Sequence, residues 1–137
     1  MRMKQILTRA ALAVTIAALP FAASAQAAIE GHWMNPKGSV VVRVAPCGNV
    51  YCGTVIKASA KAQASARNGG TPHLIGTQIL TDLRPTGSST FKGKVFDPKH
   101  NIRAPATIRV DGDALNVKGC AIAGILLCRE QRWTRVS

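Results

Sequence analysis

The sequence predicts an all-β domain, about eight short antiparallel strands arranged as a meandering barrel or sandwich. Three observations predict it. Stretches rich in β-branched residues recur along the chain, and Gly, Pro, Asn and Asp clusters separate them at near-regular intervals. Four cysteines, Cys47, Cys52, Cys120 and Cys128, fall in two close pairs that flank turn-rich segments. No alternation of strands with long helical patterns points to an α/β sheet.

The chain opens with a segment of a different kind. Met1 to Arg9 holds Arg2, Lys4 and Arg9 with no acid, and Ala10 to Leu19 is apolar apart from Thr15. This is the layout of an export signal. Pro20 ends the apolar run, and Ala23-Ser24-Ala25 offers small side chains for cleavage between Ala25 and Gln26; a cut after Ala27 satisfies the same rule. The apolar run is well short of the ~20 residues needed to span a bilayer, so residues 1–25 are expected to be removed rather than to anchor the chain. The first cysteine is Cys47, which leaves no lipid acceptor near the cut. The mature protein is expected in the periplasm or outside the cell as one domain, residues 26–137, with no transmembrane anchor.

Arg2, Lys4 and Arg9 leave with the signal, so 15 of the 18 Lys and Arg remain against all 6 acids, and the charge becomes +9. A domain this small buries only about two thirds of its unfolded surface, and cross-links would add to a modest core.

Gly31-His32-Trp33-Met34 is the first strand, and Asn35-Pro36-Lys37-Gly38 the turn after it, with Pro presetting φ. Ser39 to Ala45 places Val40, Val42 and Val44 on one face, and Val50 to Ile56 follows. Lys57 to Arg67 breaks the β pattern: its alanines favour helix, Asn68-Gly69-Gly70 would end one, and its small side chains have little to bury. Residues 57–70 are therefore read as a short helix or loop, a mobile connection or a lid over a barrel mouth. Thr77 to Leu83, Thr90 to Phe96 and Ile102 to Val110 continue the strands. Asp111-Gly112 marks a hairpin into Ala114 to Val117, and the last strand runs from about Leu126 to Val136.

Four cysteines allow three pairings. Cys47 with Cys52 and Cys120 with Cys128 is favoured, because Gly48-Asn49 and Ala123-Gly124 would fold each pair into a hairpin. Neither spacing is that of a zinc site or of a Cys-x-x-Cys redox pair, so the disulfides are expected to be structural. No metal or cofactor is expected.

Four segments together carry a family resemblance. They are Gly31-x-Trp33; Cys47-Gly48 with Cys52-Gly53; Lys92-Gly93-Lys94-Val95-Phe96-Asp97-Pro98; and Leu115-Asn116-Val117-Lys118-Gly119-Cys120 with Gln131-Arg132-Trp133-Thr134-Arg135-Val136. In order and spacing the chain resembles the family of small exported bacterial proteins called domain of unknown function 2147. The resemblance implies a small antiparallel, lipocalin-like (calycin-type) β-barrel and no assigned activity. It also implies that Trp33 closes the base of the barrel under an arginine of the last strand, Arg132 or Arg135; such a cation–π contact contributes about 0.5–2 kcal/mol. Two stretches depart from the family pattern: the alanine-rich residues 57–73, and Lys99-His100-Asn101-Ile102 in place of a Gly-containing turn. Both lie in expected loops, which set specificity around a barrel mouth.

Enzyme chemistry is not expected. Asp111 and Asp113 flank a hairpin glycine, His32, His73 and His100 are far apart, and Ser88-Ser89 has no nucleophile-elbow setting. Two binding functions remain. In one, a small apolar or amphipathic ligand lies inside the barrel against Val40, Val42, Val44, Ile108, Val110, Leu115 and Val117. In the other, the basic surface docks on anionic envelope material. The basic residues form no run and have few aromatics among them, so specific nucleic-acid recognition is not expected.

Overall fold

The computed structural model describes residues 10–16, 28–122 and 126–136. The cleavage site at Ala25-Gln26 and most of the expected signal lie outside these residues, as does the Ala123-Gly124 turn. No helix among the described residues is long and apolar enough to cross a membrane.

Eight strands close an antiparallel barrel in simple meander order. They are β1 (Gly31–Met34), β2 (Val40–Cys47), β3 (Val50–Ala58), β4 (Gln78–Pro85), β5 (Thr90–Asp97), β6 (Ile102–Asp111), β7 (Ala114–Ile122) and β8 (Leu126–Val136), with one helix, α1 (Ala60–Asn68), between β3 and β4. The turn signals placed every strand, with ends differing by a few residues. The largest difference is β7, which continues past Val117 to Ile122 because Cys120 pairs directly with Cys128 across the β7–β8 ladder. The β6–β7 hairpin also sits one residue later than Asp111-Gly112 implied: Asp111 pairs with Ala114, and Gly112-Asp113 make the turn, with Gly112 at φ 59°.

Alternation sorts the side chains. Along β6, Ala104, Ala106, Ile108 and Val110 point inward and are buried, while Arg103, Pro105, Thr107 and Arg109 point outward. Trp33, Leu80, Leu83, Phe91, Ile108 and Leu115 are fully buried, and Val42, Val44 and Val55 are 1% exposed. The interior is therefore filled by the chain's own side chains, as an eight-stranded barrel allows. Two inward glycines show how tightly. A Cβ on Gly53 would lie 2.9 Å from Leu80 Cβ and Val42 Cγ1, and one on Gly119 would lie 2.7 Å from Val95 Cγ1, which belongs to a strand two places away.

In a meander the connections alternate between the two ends of the barrel. The segment before β1 lies at one end with the β2–β3, β4–β5 and β6–β7 turns. At the other end lie the β1–β2 loop, the β5–β6 turn and α1. Ser59 caps α1 by accepting the Ala62 amide at 3.1 Å, and its own amide reaches Ser39 of the β1–β2 loop at 2.8 Å. At the other end of the helix, a Cβ on Gly69 would run into the Pro98 and Lys99 carbonyls of the β5–β6 turn. Those two anchors lie on opposite sides of the barrel, and a nine-residue helix is about 13 Å long. Residues 57–70 thus hold the end of β3 and a capped helix, Ala60–Asn68, that crosses the mouth and buries Ala66. Its small side chains let it lie close to the barrel.

A filled interior predicts its own test. Gly53→Ala and Gly119→Ala should each destabilise the protein by about 1–3 kcal/mol in urea unfolding. A neutral result at both positions would reveal slack inside the barrel.

Candidate functional site

The end beneath β1 is built around Arg135. Trp33 lies in the barrel floor, donating its indole N–H to the Ile29 carbonyl at 2.9 Å, and the Arg135 guanidinium lies 4.2 Å from the centre of a Trp33 ring. Its two Nη atoms donate to the Glu30 and Ala28 carbonyls at 2.8 and 2.7 Å, and Nε faces Asp113 of the β6–β7 turn at 3.4 Å. Arg135 is directly opposite Trp33 in the β1–β8 ladder. Gly31 makes room for this: a Cβ there, at φ 138°, would sit 2.6 Å from Arg135 Nη1. Arg132 takes no part; it points outward, 3.8 Å from Asp111.

Cys47 is bonded to Cys52 and Cys120 to Cys128, each bond stapling a hairpin on the outside of the barrel. Cys47 and Cys52 border a hollow on the outer surface of β2 to β4. The residues named as ligand-lining are inward: Val42, Val44, Ile108, Val110, Leu115 and Val117 belong to the core, and Val40 packs against it. All but Val40 are at most 9% exposed, as expected of side chains that fill the barrel.

Titratable groups are scattered. Among the described residues no three His, Cys, Asp or Glu gather as metal ligands would. His100 Nδ1 lies 2.7 Å from Asp97 Oδ2, and Asp97 Oδ1 accepts the Lys99 and His100 amides at 3.0 and 3.3 Å. Partial burial opposes the Asp97 charge, but these hydrogen bonds outweigh it and its pKa is lowered. The pair organises the turn that holds the end of α1.

The strand register brings together what the sequence scatters. On the outer face, Arg84 pairs with Lys92, Lys92 with Thr107, and Thr107 with Lys118, a row across four strands. One row nearer the floor, Arg109 pairs with Asn116 and Asn116 with Arg132. With Lys94 and with Arg103, which lies 5.0 Å from the Phe96 ring centre, seven exposed cations cover the outside of β4 to β8. Three carboxylates share this face: Asp82 near Lys94, Asp111 near Arg132, and Glu130 opposite Lys118. Arg84 is absent from any sequence-based grouping because its neighbour Lys92 belongs to the next strand; aligning the two strands is the signal that finds it. Around the barrel, the outside of β2 to β4 carries a half-open hollow of about 290 Å³.

Arg135→Ala should cost about 2–3 kcal/mol, because it removes the ring contact and two charged hydrogen bonds, whereas Arg132→Ala should change stability by less than about 0.5 kcal/mol. Equal effects in urea unfolding would refute the assignment. Because the Asp97 pKa is lowered on folding, its contribution is present above the ordinary carboxylate value near 4 and is lost as pH falls through the lower native value. Asp97→Asn should therefore destabilise at neutral pH, and the gap to wild type should narrow and close as pH falls through the lowered native pKa of Asp97.

Comparison with known proteins agrees with this geometry. A family model described as an uncharacterized protein conserved in bacteria (DUF2147) matches residues 31–135. Among solved structures the chain is similar to a protein of the human pathogen Helicobacter pylori described as belonging to the lipocalin family. That match has a TM-score of 0.61 at 14% identity and covers 80% of this chain and 83% of the other. At that identity the likeness concerns the fold. No curated protein matches the chain. The matched span begins at the glycine that admits Arg135 and ends at Arg135 itself, and the chain belongs to the bacterial family of domain of unknown function 2147, built as a lipocalin-like barrel.

Proposed function

We propose that this is a non-enzymatic binding protein of the periplasm or cell exterior that works through the outside of its barrel, docking its basic β4–β8 face on anionic envelope material. The observation that carries this reading is the pairing of a filled interior with a face on which Arg84, Lys92 and Lys118 line up across four strands. A ligand carried inside would have to displace Trp33, Phe91, Leu115 and their neighbours, all fully buried. The two disulfides fit an oxidising, extracytoplasmic setting.

Neighbouring strands are about 4.8 Å apart and alternate residues along a strand about 6.8 Å apart, so the cations form a grid rather than a pocket. A grid suits many phosphates on a surface, each contact weak and the sum substantial. Thr107 and Asn116 between the cations supply hydrogen-bonding groups without charge.

Vesicles test it. The protein should bind phosphatidylglycerol-containing vesicles and not pure phosphatidylcholine, and raising salt from about 0.05 to 0.5 M should weaken binding at least tenfold. The double variant Lys92→Glu, Lys118→Glu should lose at least tenfold in affinity. Binding that ignored lipid charge, salt or these substitutions would overturn the reading.

A further inference from the structure

The hollow on the outside of β2 to β4 lies apart from the basic face and has a chemistry of its own. Arg43 pairs with Thr54 on β3, and Thr54 with Gln78 on β4, so a guanidinium, a hydroxyl and an amide stand in one row across three strands. All three line the hollow. Among the described residues none of these side chains makes a hydrogen bond or ion pair within the protein. The other Arg side chains nearest to acids are engaged, Arg132 with Asp111 and Arg135 with Asp113, whereas the lining around Arg43 contains no acid.

The flanks of the row are apolar. Toward the barrel floor lie Pro46 and the Cys47–Cys52 disulfide, which fixes the β2–β3 hairpin as a rigid wall. On the other side is Ile56, 42% exposed, whose apolar side chain borders the hollow. The volume of about 290 Å³ is at the lower limit of ligand sites.

We infer that this hollow is a binding site for a small amphipathic anion, its carboxylate or phosphate held by Arg43 with Thr54 and Gln78, and a short hydrocarbon body laid against the disulfide wall or Ile56. A cation with a polar row and apolar walls, and no acid, selects for that combination of charge and shape. Neither a free inorganic anion nor an uncharged hydrocarbon would use both halves. The site is independent of the basic face and of the barrel interior.

Octanoate is a suitable probe. In amide-resolved NMR titrations of the disulfide-intact protein, octanoate should shift Arg43, Thr54, Gln78 and their strand neighbours saturably, with a Kd on the order of 1 mM. Acetate, the same head without the chain, and octylamine, the same chain with the opposite charge, should each bind at least tenfold more weakly. Arg43→Gln should weaken octanoate binding about fivefold or more, and Arg43→Lys should retain most of it. Arg43 is exposed, so these variants should keep the wild-type spectrum elsewhere. No saturable shift by about 10 mM, shifts centred on Trp33 and Leu115, octylamine equal to octanoate, or Arg43→Gln equal to wild type would each overturn the site.

Discussion

The lipocalin-like barrel is closed by one arginine. β1 is four residues long and meets β8 through only three register pairs, so backbone hydrogen bonds alone make a thin seam there. Arg135 thickens it. Its guanidinium covers Trp33, ties the chain before β1 through two carbonyls, and reaches Asp113 of the β6–β7 turn. A cation can sit at the base of an apolar interior only because every direction it faces offers an acceptor or a ring. Gly31 follows from this arrangement, since any side chain there would occupy the guanidinium's place.

With the floor sealed, the interior is decided by volume. Two tryptophans, one phenylalanine and the branched side chains of β2 to β7 meet across the barrel, and the small inward positions, Gly53, Ala104, Ala106 and Gly119, accommodate the large ones. α1 completes the closure at the mouth. It is seated by backbone contacts at both ends rather than by a large apolar face, which is why a segment made of Ala, Ser, Lys and Gln can serve there. A barrel filled and capped in this way has only its outer surface available without rearrangement.

Much of this was readable in advance, for identifiable reasons. β2 and β6 announce themselves because apolar residues recur at every second position, Val40, Val42 and Val44 in one and Ala104, Ala106, Ile108 and Val110 in the other, and the paired cysteines flank turns whose residues favour hairpins. The choice between Arg132 and Arg135 was not readable, because alternation places Arg135 beside Trp133 without saying that this face reaches Trp33; the β1–β8 register supplies that. Whether Val40, Val42 and Val44 line a cavity or fill a core was equally closed to the sequence, since the same residues serve both and the answer depends on cross-barrel distances such as that between Gly119 and Val95. The rows Arg84–Lys92–Thr107–Lys118 and Arg43–Thr54–Gln78 were hidden for the same reason: each strand contributes one residue, and only lateral register makes them neighbours.

The two outer faces proposed for recognition differ in their physics. On β4 to β8, long cationic side chains stand on a regular sheet, so attraction comes from summed charge, tolerates variation in the partner and weakens with salt. On β2 to β4, one cation stands beside a concave apolar wall, so a ligand must match in charge and shape together, and burial of its hydrocarbon persists when salt screens its head. Both depend on a framework that does not deform when touched. That rigidity comes from the filled interior, from the disulfides on the two hairpins and, at the seam, from Arg135 holding the first strand to the last. Loosening the floor should therefore disturb both outer faces together, because the register that makes each row is set by the closure of the whole ring.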